Sequence, residues 1–110
     1  MGASKSAEFT AEQNDISQVF KALGHPARIA IIQHLMNIKS CICNDLVDIL
    51  PLSQATISQH LRELKEAEII KGTIEGTSVC YCLNSNVFET MINTLEEFKE
   101  LDQKNTKECC

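Results

Sequence analysis

Apolar residues recur along the chain in two rhythms, and the change between them marks out the architecture. Thr10 and Gln13 form a capping box, which predicts a first helix running to about Leu23 and stopped by Gly24. In "HPARIAIIQHLM", Pro26 takes the first helical position, where its missing N–H costs nothing. Ile29, Ile32, Leu35 and Met36 follow at helical spacing, which predicts that this face lies at the centre of the core. "NDLVDIL" predicts a short third helix closed by Pro51. Ser53 then caps a fourth, "QATISQHLRELKEAE", with Ile57, Leu61 and Leu64 turned inward. The period changes in "IIKGTIEGTSVCYCLN", which predicts strands over residues 69–74 and 78–83 around a turn at Gly76. In the second strand Val79, Tyr81 and Leu83 take one face and Cys80 and Cys82 the other. Asn86 with Glu89 forms a second capping box and opens a last helix. That helix carries the stripe Phe88, Met91, Ile92, Leu95, Phe98 and Leu101, long enough to need a partner, most simply a second copy of the chain.

The fold class this predicts is mainly α: a dimeric winged helix-turn-helix of five helices plus a two-stranded β-hairpin wing. Residues 1–9 read as a flexible tail, 10–101 as the DNA-binding domain, and 102–110 as an acidic tail ending in Cys-Cys. The outward positions of the fourth helix are Ser53, Gln54, Thr56, Gln59 and His60, uncharged groups of a length that reaches base edges. Arg62, Lys65 and Lys71 are the candidates for phosphate contacts. The partner these residues predict is double-stranded operator DNA.

Composition narrows this picture. With 110 residues the chain is a single domain. A formal charge of −5 excludes a broad electrostatic nucleic-acid binder but not a local basic face. The acid gathers at the ends, in "EEFKELD" and at Glu8, Glu12 and Asp15. No apolar run reaches membrane-span length and "MGASKSAEF" has no signal-peptide core, so a cytoplasmic protein without a membrane partner is expected. There is no Ser-His-acid order, no phosphate-binding glycine loop and no Cys-x-x-Cys, so no enzyme is expected and no constitutive cofactor.

The six cysteines come as three close pairs: Cys41 and Cys43, Cys80 and Cys82, Cys109 and Cys110. Without a secretion signal, metal or redox chemistry fits them better than a disulfide framework. Cys41 and Cys43 in "SCICNDL" precede a helix start, which frees both thiols to turn inward and favours the thiolate. Soft thiolates select ions such as Zn, Cd, Pb and Cu(I). Two thiolates rarely complete a site, and Cys109 and Cys110 are the candidates to finish it. Cys80 and Cys82 are read as surface thiols on the wing or redox partners of each other.

From about Ile16 to Leu101 the chain resembles the ArsR/SmtB family of winged-helix metalloregulators. "FKALGHPARIAIIQHL", "CICNDL", "LSQATISQHLRELKEAEIIKG" and "GTSVCYCLN" are similar to its landmarks in order and spacing. The resemblance implies a homodimer built from the first and last helices. It implies a repressor that leaves its operator when a thiophilic ion, arsenite foremost, binds at Cys41 and Cys43. The zinc-sensing variant's histidines are missing from the last helix. Two features depart from the pattern: Asn44 is one residue more than the usual Cys-x-Cys-Asp-Leu, and Glu75 stands where a wing often carries Arg or Lys. A thiol redox or persulfide switch on the same fold, and a soft-metal binding protein without DNA binding, stay open at this point.

Overall fold

The computed structural model describes residues 7–38, 50–75 and 78–104, with residues 74, 75 and 78 by backbone alone. In chain order the elements are α1 (Ala11–Leu23), α2 (Pro26–Asn37), α3 (Gln54–Glu66), β1 (Ile70–Glu75), β2 (Ser78–Leu83) and α4 (Ser85–Lys104). Four helices therefore stand among the described residues, and the expected short helix at "NDLVDIL" lies mostly outside them. α4 continues three residues past the expected boundary at 101.

Local chemistry accounts for the helix starts. The Thr10 hydroxyl accepts the Gln13 N–H at 3.0 Å, and the Gln13 side chain returns the bond to the Thr10 N–H at 3.0 Å. Before α2 the cap is His25, whose Nδ1 accepts the Ala27 N–H at 3.0 Å, with Pro26 following as the first helical residue. Ser53 caps α3 by accepting the Thr56 N–H at 3.3 Å. The expected Asn86–Glu89 box is displaced. α4 begins at Ser85, and it is the Asn84 carbonyl that accepts from Val87 N–H at 3.1 Å.

The core joins Ala22 of α1, Ile31, Ile32 and Leu35 of α2, Ile57, Leu61 and Leu64 of α3, and Ile69 and Ile70 at the hairpin's entry. α2 buries a different arc from the one its spacing suggested: Ile31 is inaccessible, whereas Ile29 and Met36 are 42% and 52% exposed. At about 100° per residue, Ile31, Leu35 and Ile32 span one arc of about 100°, and Ile29 and Met36 lie beyond it. The hairpin is antiparallel, pairing Ile70 with Leu83, Gly72 with Tyr81 and Glu75 with Ser78. The turn at Gly76 lies outside the described residues.

The corner between α3 and β1 is closed by backbone. Glu68 adopts a left-handed conformation, φ 62°, and the Ile69 N–H donates to the Leu64 carbonyl at 3.0 Å. Asn84 spans the hairpin's base: its side-chain N–H donates to the Glu68 carbonyl at 2.8 Å, and its backbone N–H to the Ile69 carbonyl at 2.9 Å. A Cβ in the left-handed region costs roughly 1–2 kcal/mol. Glu68→Gly is therefore expected to raise stability by about 1 kcal/mol after the glycine's extra unfolded-state entropy is counted, read as a higher urea midpoint. An unchanged or lower midpoint would show that the Glu68 side chain contributes more than its backbone strain removes.

Candidate nucleic-acid interface

α3 is held on one side and free on the other. Ile57, Leu61 and Leu64 are buried, while Gln54, Thr56, Gln59, Arg62 and Lys65 are exposed. This leaves the two glutamines, whose amides match adenine in the major groove, on the surface of a fixed helix. Ser53 is exposed but its hydroxyl is committed to the cap, and it shares a 3.0 Å hydrogen bond with the Thr56 hydroxyl. Lys71 is exposed on β1. Lys65 reaches from α3 across the hairpin, where a Cβ built on Gly72 would meet its Nζ at 3.3 Å and Tyr81 Cε1 at 3.4 Å. The glycine leaves room for that lysine stem between the helix and the strand.

His60 corrects the sequence reading. It is only 6% exposed and points into the protein, where its Nδ1 accepts the Arg28 Nε–H at 3.0 Å. Its ring lies 4.4 Å from the ring of His25, tilted by 49°. The same Arg28 donates through Nη1 to the Ala22 carbonyl at 3.1 Å. One guanidinium thus ties the end of α1, the start of α2 and the middle of α3. Burial pushes the His60 pKa below its ordinary value, the charges of His25 and Arg28 push the same way, and Glu63 opposes them. An acceptor at Nδ1 requires the neutral ring. His60 is therefore a structural joint, unavailable to bases. Its spacing gave the signal: it falls three residues after Ile57 and four before Leu64, within the apolar arc. Sequence reasoning missed Arg28 altogether, a cation in the second helix with nothing local to pair it.

The cysteines divide. Cys41, Cys43, Cys109 and Cys110 lie outside the described residues. Cys80 is 1% exposed and Cys82 half-buried, so the wing thiols are not surface groups, and both are disulfide-bonded. Among the described residues no three His, Cys, Asp or Glu side chains gather in a way that would hold a metal ion. The expected dimer stripe also divides. Met91 is buried and Phe88 packs on the chain's own core, while Ile92, Leu95, Phe98 and Leu101 are 50–58% exposed. An open cleft between α1 and α4 is lined by Glu12, Asp15, Glu66, Glu68 and Glu97, a face that repels phosphate. No helix among the described residues is long and apolar enough to cross a membrane.

A solved structure described as an ArsR family transcriptional regulator superposes with a TM-score of 0.76 at 19% identity, covering 86% of this chain and 96% of that one. Residues 25–71 match the family described as "Bacterial regulatory protein, arsR family". An uncharacterized HTH-type transcriptional regulator of Methanocaldococcus jannaschii is 37% identical over 74% of this chain and 91% of its own length. The chain belongs to the arsR family. An arsenical resistance operon repressor of Staphylococcus xylosus is 30% identical over 81% of this chain and 85% of its own. This arsR-family protein is a DNA-binding transcriptional regulator and not an enzyme. The match spans α2, α3 and the first strand residues, the segment that builds and holds the exposed glutamine face.

Proposed function

We propose that this regulator is a homodimeric repressor that binds operator DNA through α3 and releases it when a thiophilic ion binds at cysteine thiolates. The observation that carries the reading is the exposed Gln54, Thr56 and Gln59 face on a helix fixed from behind by Ile57, Leu61, Leu64 and the Arg28–His60 bond. Gln54 and Gln59 read base edges, Thr56 and Ser53 sit at the helix start, and Arg62, Lys65 and Lys71 hold phosphates. Two reading helices related by a dimer axis address half-sites about one helical turn apart.

The ion ligands in this reading are Cys41 and Cys43, completed by Cys109 and Cys110 from the same or the partner copy. What supports it is the soft donor set, the Cys-x-Cys placed just before the reading unit, and similarity to a repressor of arsenical resistance. Arsenite is favoured as inducer, with Cd, Zn and Pb of the same chemical class. No constitutive cofactor is needed, and the work is done in the cytoplasm, where the DNA and reducing thiols are. The energetic demand is modest, since a coupling of ~1–3 kcal/mol changes DNA affinity about 5–150-fold.

The test is fluorescence anisotropy of the fully reduced protein on its own upstream DNA, titrated with arsenite and then Cd²⁺, Zn²⁺ and Pb²⁺. Arsenite is expected to weaken the wild-type complex at least fivefold and to leave the Cys41→Ser/Cys43→Ser variant within twofold of its ion-free affinity. Release of the double variant by the same ion would remove these cysteines from the site. A protein that binds ions but no DNA at any salt concentration would instead be a metal carrier.

A further inference from the structure

We propose that His25, Arg28 and His60 form a proton-sensitive joint that positions α3 for base reading, so that acidification costs the protein its operator but not its hold on DNA in general. The proposal rests on the operator-binding reading above and adds which residues set the angle of α3 and what controls them.

Geometry carries it. The two imidazole rings lie against each other, with centroids 4.4 Å apart and a tilt of 49°. Each ring uses Nδ1 as an acceptor: His25 takes the Ala27 N–H at 3.0 Å, and His60 takes the Arg28 Nε–H at 3.0 Å. A ring nitrogen that accepts carries no proton, so both rings are neutral and hold their proton on Nε2. The first bond caps α2, and the second pins α3 to it. Among the described residues, the Arg28–His60 bond is the one side-chain hydrogen bond that joins α3 to another helix. The rest of the inner face, Ile57, Leu61 and Leu64, is apolar. Apolar packing is non-directional and leaves rotation about the helix axis free, whereas a hydrogen bond weakens steeply as its angle closes. His60 follows Gln59 directly and Thr56 by one turn, so the residue that fixes the rotation sits among those that face bases.

Protonation reverses both contacts. A proton on His60 Nδ1 sets N–H against the Arg28 N–H, and a proton on His25 Nδ1 does the same to the Ala27 N–H. Burial keeps the His60 ring neutral below its ordinary range, with His25 and Arg28 acting alongside and Glu63 of its own helix opposing. The other elements packed on α3 bring α1's last turn, with Lys21 and the Ala22 carbonyl, and β1, which starts with Ile70 and Lys71. Both lysines favour the neutral ring. The loss therefore falls on the acid side of 6.5. Non-specific attraction moves the other way, because each proton taken up makes the net charge of −5 less negative. Specific affinity that falls while non-specific affinity holds or rises is the signature of the joint.

The test is fluorescence anisotropy of the full-length reduced protein at constant salt, from about pH 7.5 to about pH 5. The probes are its own upstream DNA and a scrambled duplex of the same length and composition. The upstream complex is expected to weaken at least fivefold, the lower end of an ordinary coupling, and the scrambled one to hold or tighten. Circular dichroism is expected to stay constant over the range. His60→Gln and His25→Asn each keep an acceptor but cannot titrate. Their double variant is expected to change less than twofold between the two limits, whatever its affinity at the upper one. An equal loss in the double variant would overturn the joint, as would a wild-type complex indifferent to pH or an affinity that falls only as helix content is lost. Ring ¹⁵N shifts of the DNA-free protein separate this proposal from the one beneath it. Both Nδ1 atoms are expected without a proton at the upper limit, and a proton on either would remove the joint with no DNA present. Upstream DNA bound no better than scrambled DNA at the upper limit would instead remove the operator-binding reading, and the joint's role with it.

Discussion

Replacing both Leu95 and Phe98 with glutamate is expected to turn the protein into a folded monomer and to lower operator affinity by two orders of magnitude or more. Ile92, Leu95, Phe98 and Leu101 leave about half their surfaces in water along the outer face of α4. Covering those halves is worth on the order of 1 kcal/mol each, so about 8 kcal/mol over two copies. Association costs ~4–15 kcal/mol in lost freedom, so the stripe stands near balance and needs every member, with Phe9, Ile29 and Met36 as further exposed apolar surface. Two carboxylates placed in such a seam add several kcal/mol of desolvation. The loss on DNA follows from valency, because a second linked reading helix contributes ~10²–10⁴ in apparent affinity. Sedimentation gives the mass, anisotropy the affinity, and circular dichroism the helix content, which is expected to stay constant. A variant that remains dimeric would place the seam elsewhere.

The second large effect is expected at the joint behind the reading helix. Arg28→Ala removes the donor to His60 Nδ1 and to the Ala22 carbonyl, and charge-assisted bonds of this kind contribute ~1.5–3 kcal/mol each. A loss of about 3 kcal/mol in urea unfolding is expected, against well under 1 kcal/mol for exposed Arg62→Ala. The same joint makes stability depend on pH. The folded-state pKa of His60 lies below the unfolded value of 6.5, driven first by burial, then by His25 and Arg28, with Glu63 opposing. Between those two values the unfolded chain binds more protons, so stability rises with pH across that window and is complete above 6.5. Acidification from pH 7 toward 5 is therefore expected to lower the urea midpoint. His60→Gln, which keeps an acceptor for Arg28 but cannot titrate, is expected to show a shallower slope. Equal slopes in the two proteins would assign the acid sensitivity to other groups.

Much of the fold was readable because it rests on local rules. The Thr10–Gln13 box, Pro26 and Ser53 each satisfy backbone donors within three residues, so their positions follow from sequence alone. The second strand's bounds came from turn and alternation signals of the same short range. What failed depended on partners distant in sequence. Which arc of α2 is buried depends on where α3 and the hairpin press, and spacing alone allowed the arc through Ile29 and Met36. His60 was read as outward because its ring is polar, although its position lay among Ile57, Leu61 and Leu64. Only Arg28, 32 residues earlier, makes it at home there. Cys80 alternates with Tyr81 and Leu83 as expected, but nothing in an alternating pattern says that the cysteine face is covered as well as the apolar one. The ion ligands proposed at Cys41 and Cys43 rest on sequence pattern and donor chemistry, whereas the reading face rests on geometry.

The base of the hairpin has a mechanical consequence. Asn84 is the residue from which α4 departs, and it holds the Glu68 and Ile69 carbonyls at the point where α3 ends. Reading helix and seam helix are thereby joined through a corner of two hydrogen bonds and one left-handed residue, much as two arms of a bell crank share a pivot. In the proposed dimer, a tilt imposed along α4 would be carried through that pivot to α3 and would emerge as a different distance between the two reading helices. In that proposed dimer, the stiffness of this corner would set how small a displacement along α4 registers at α3.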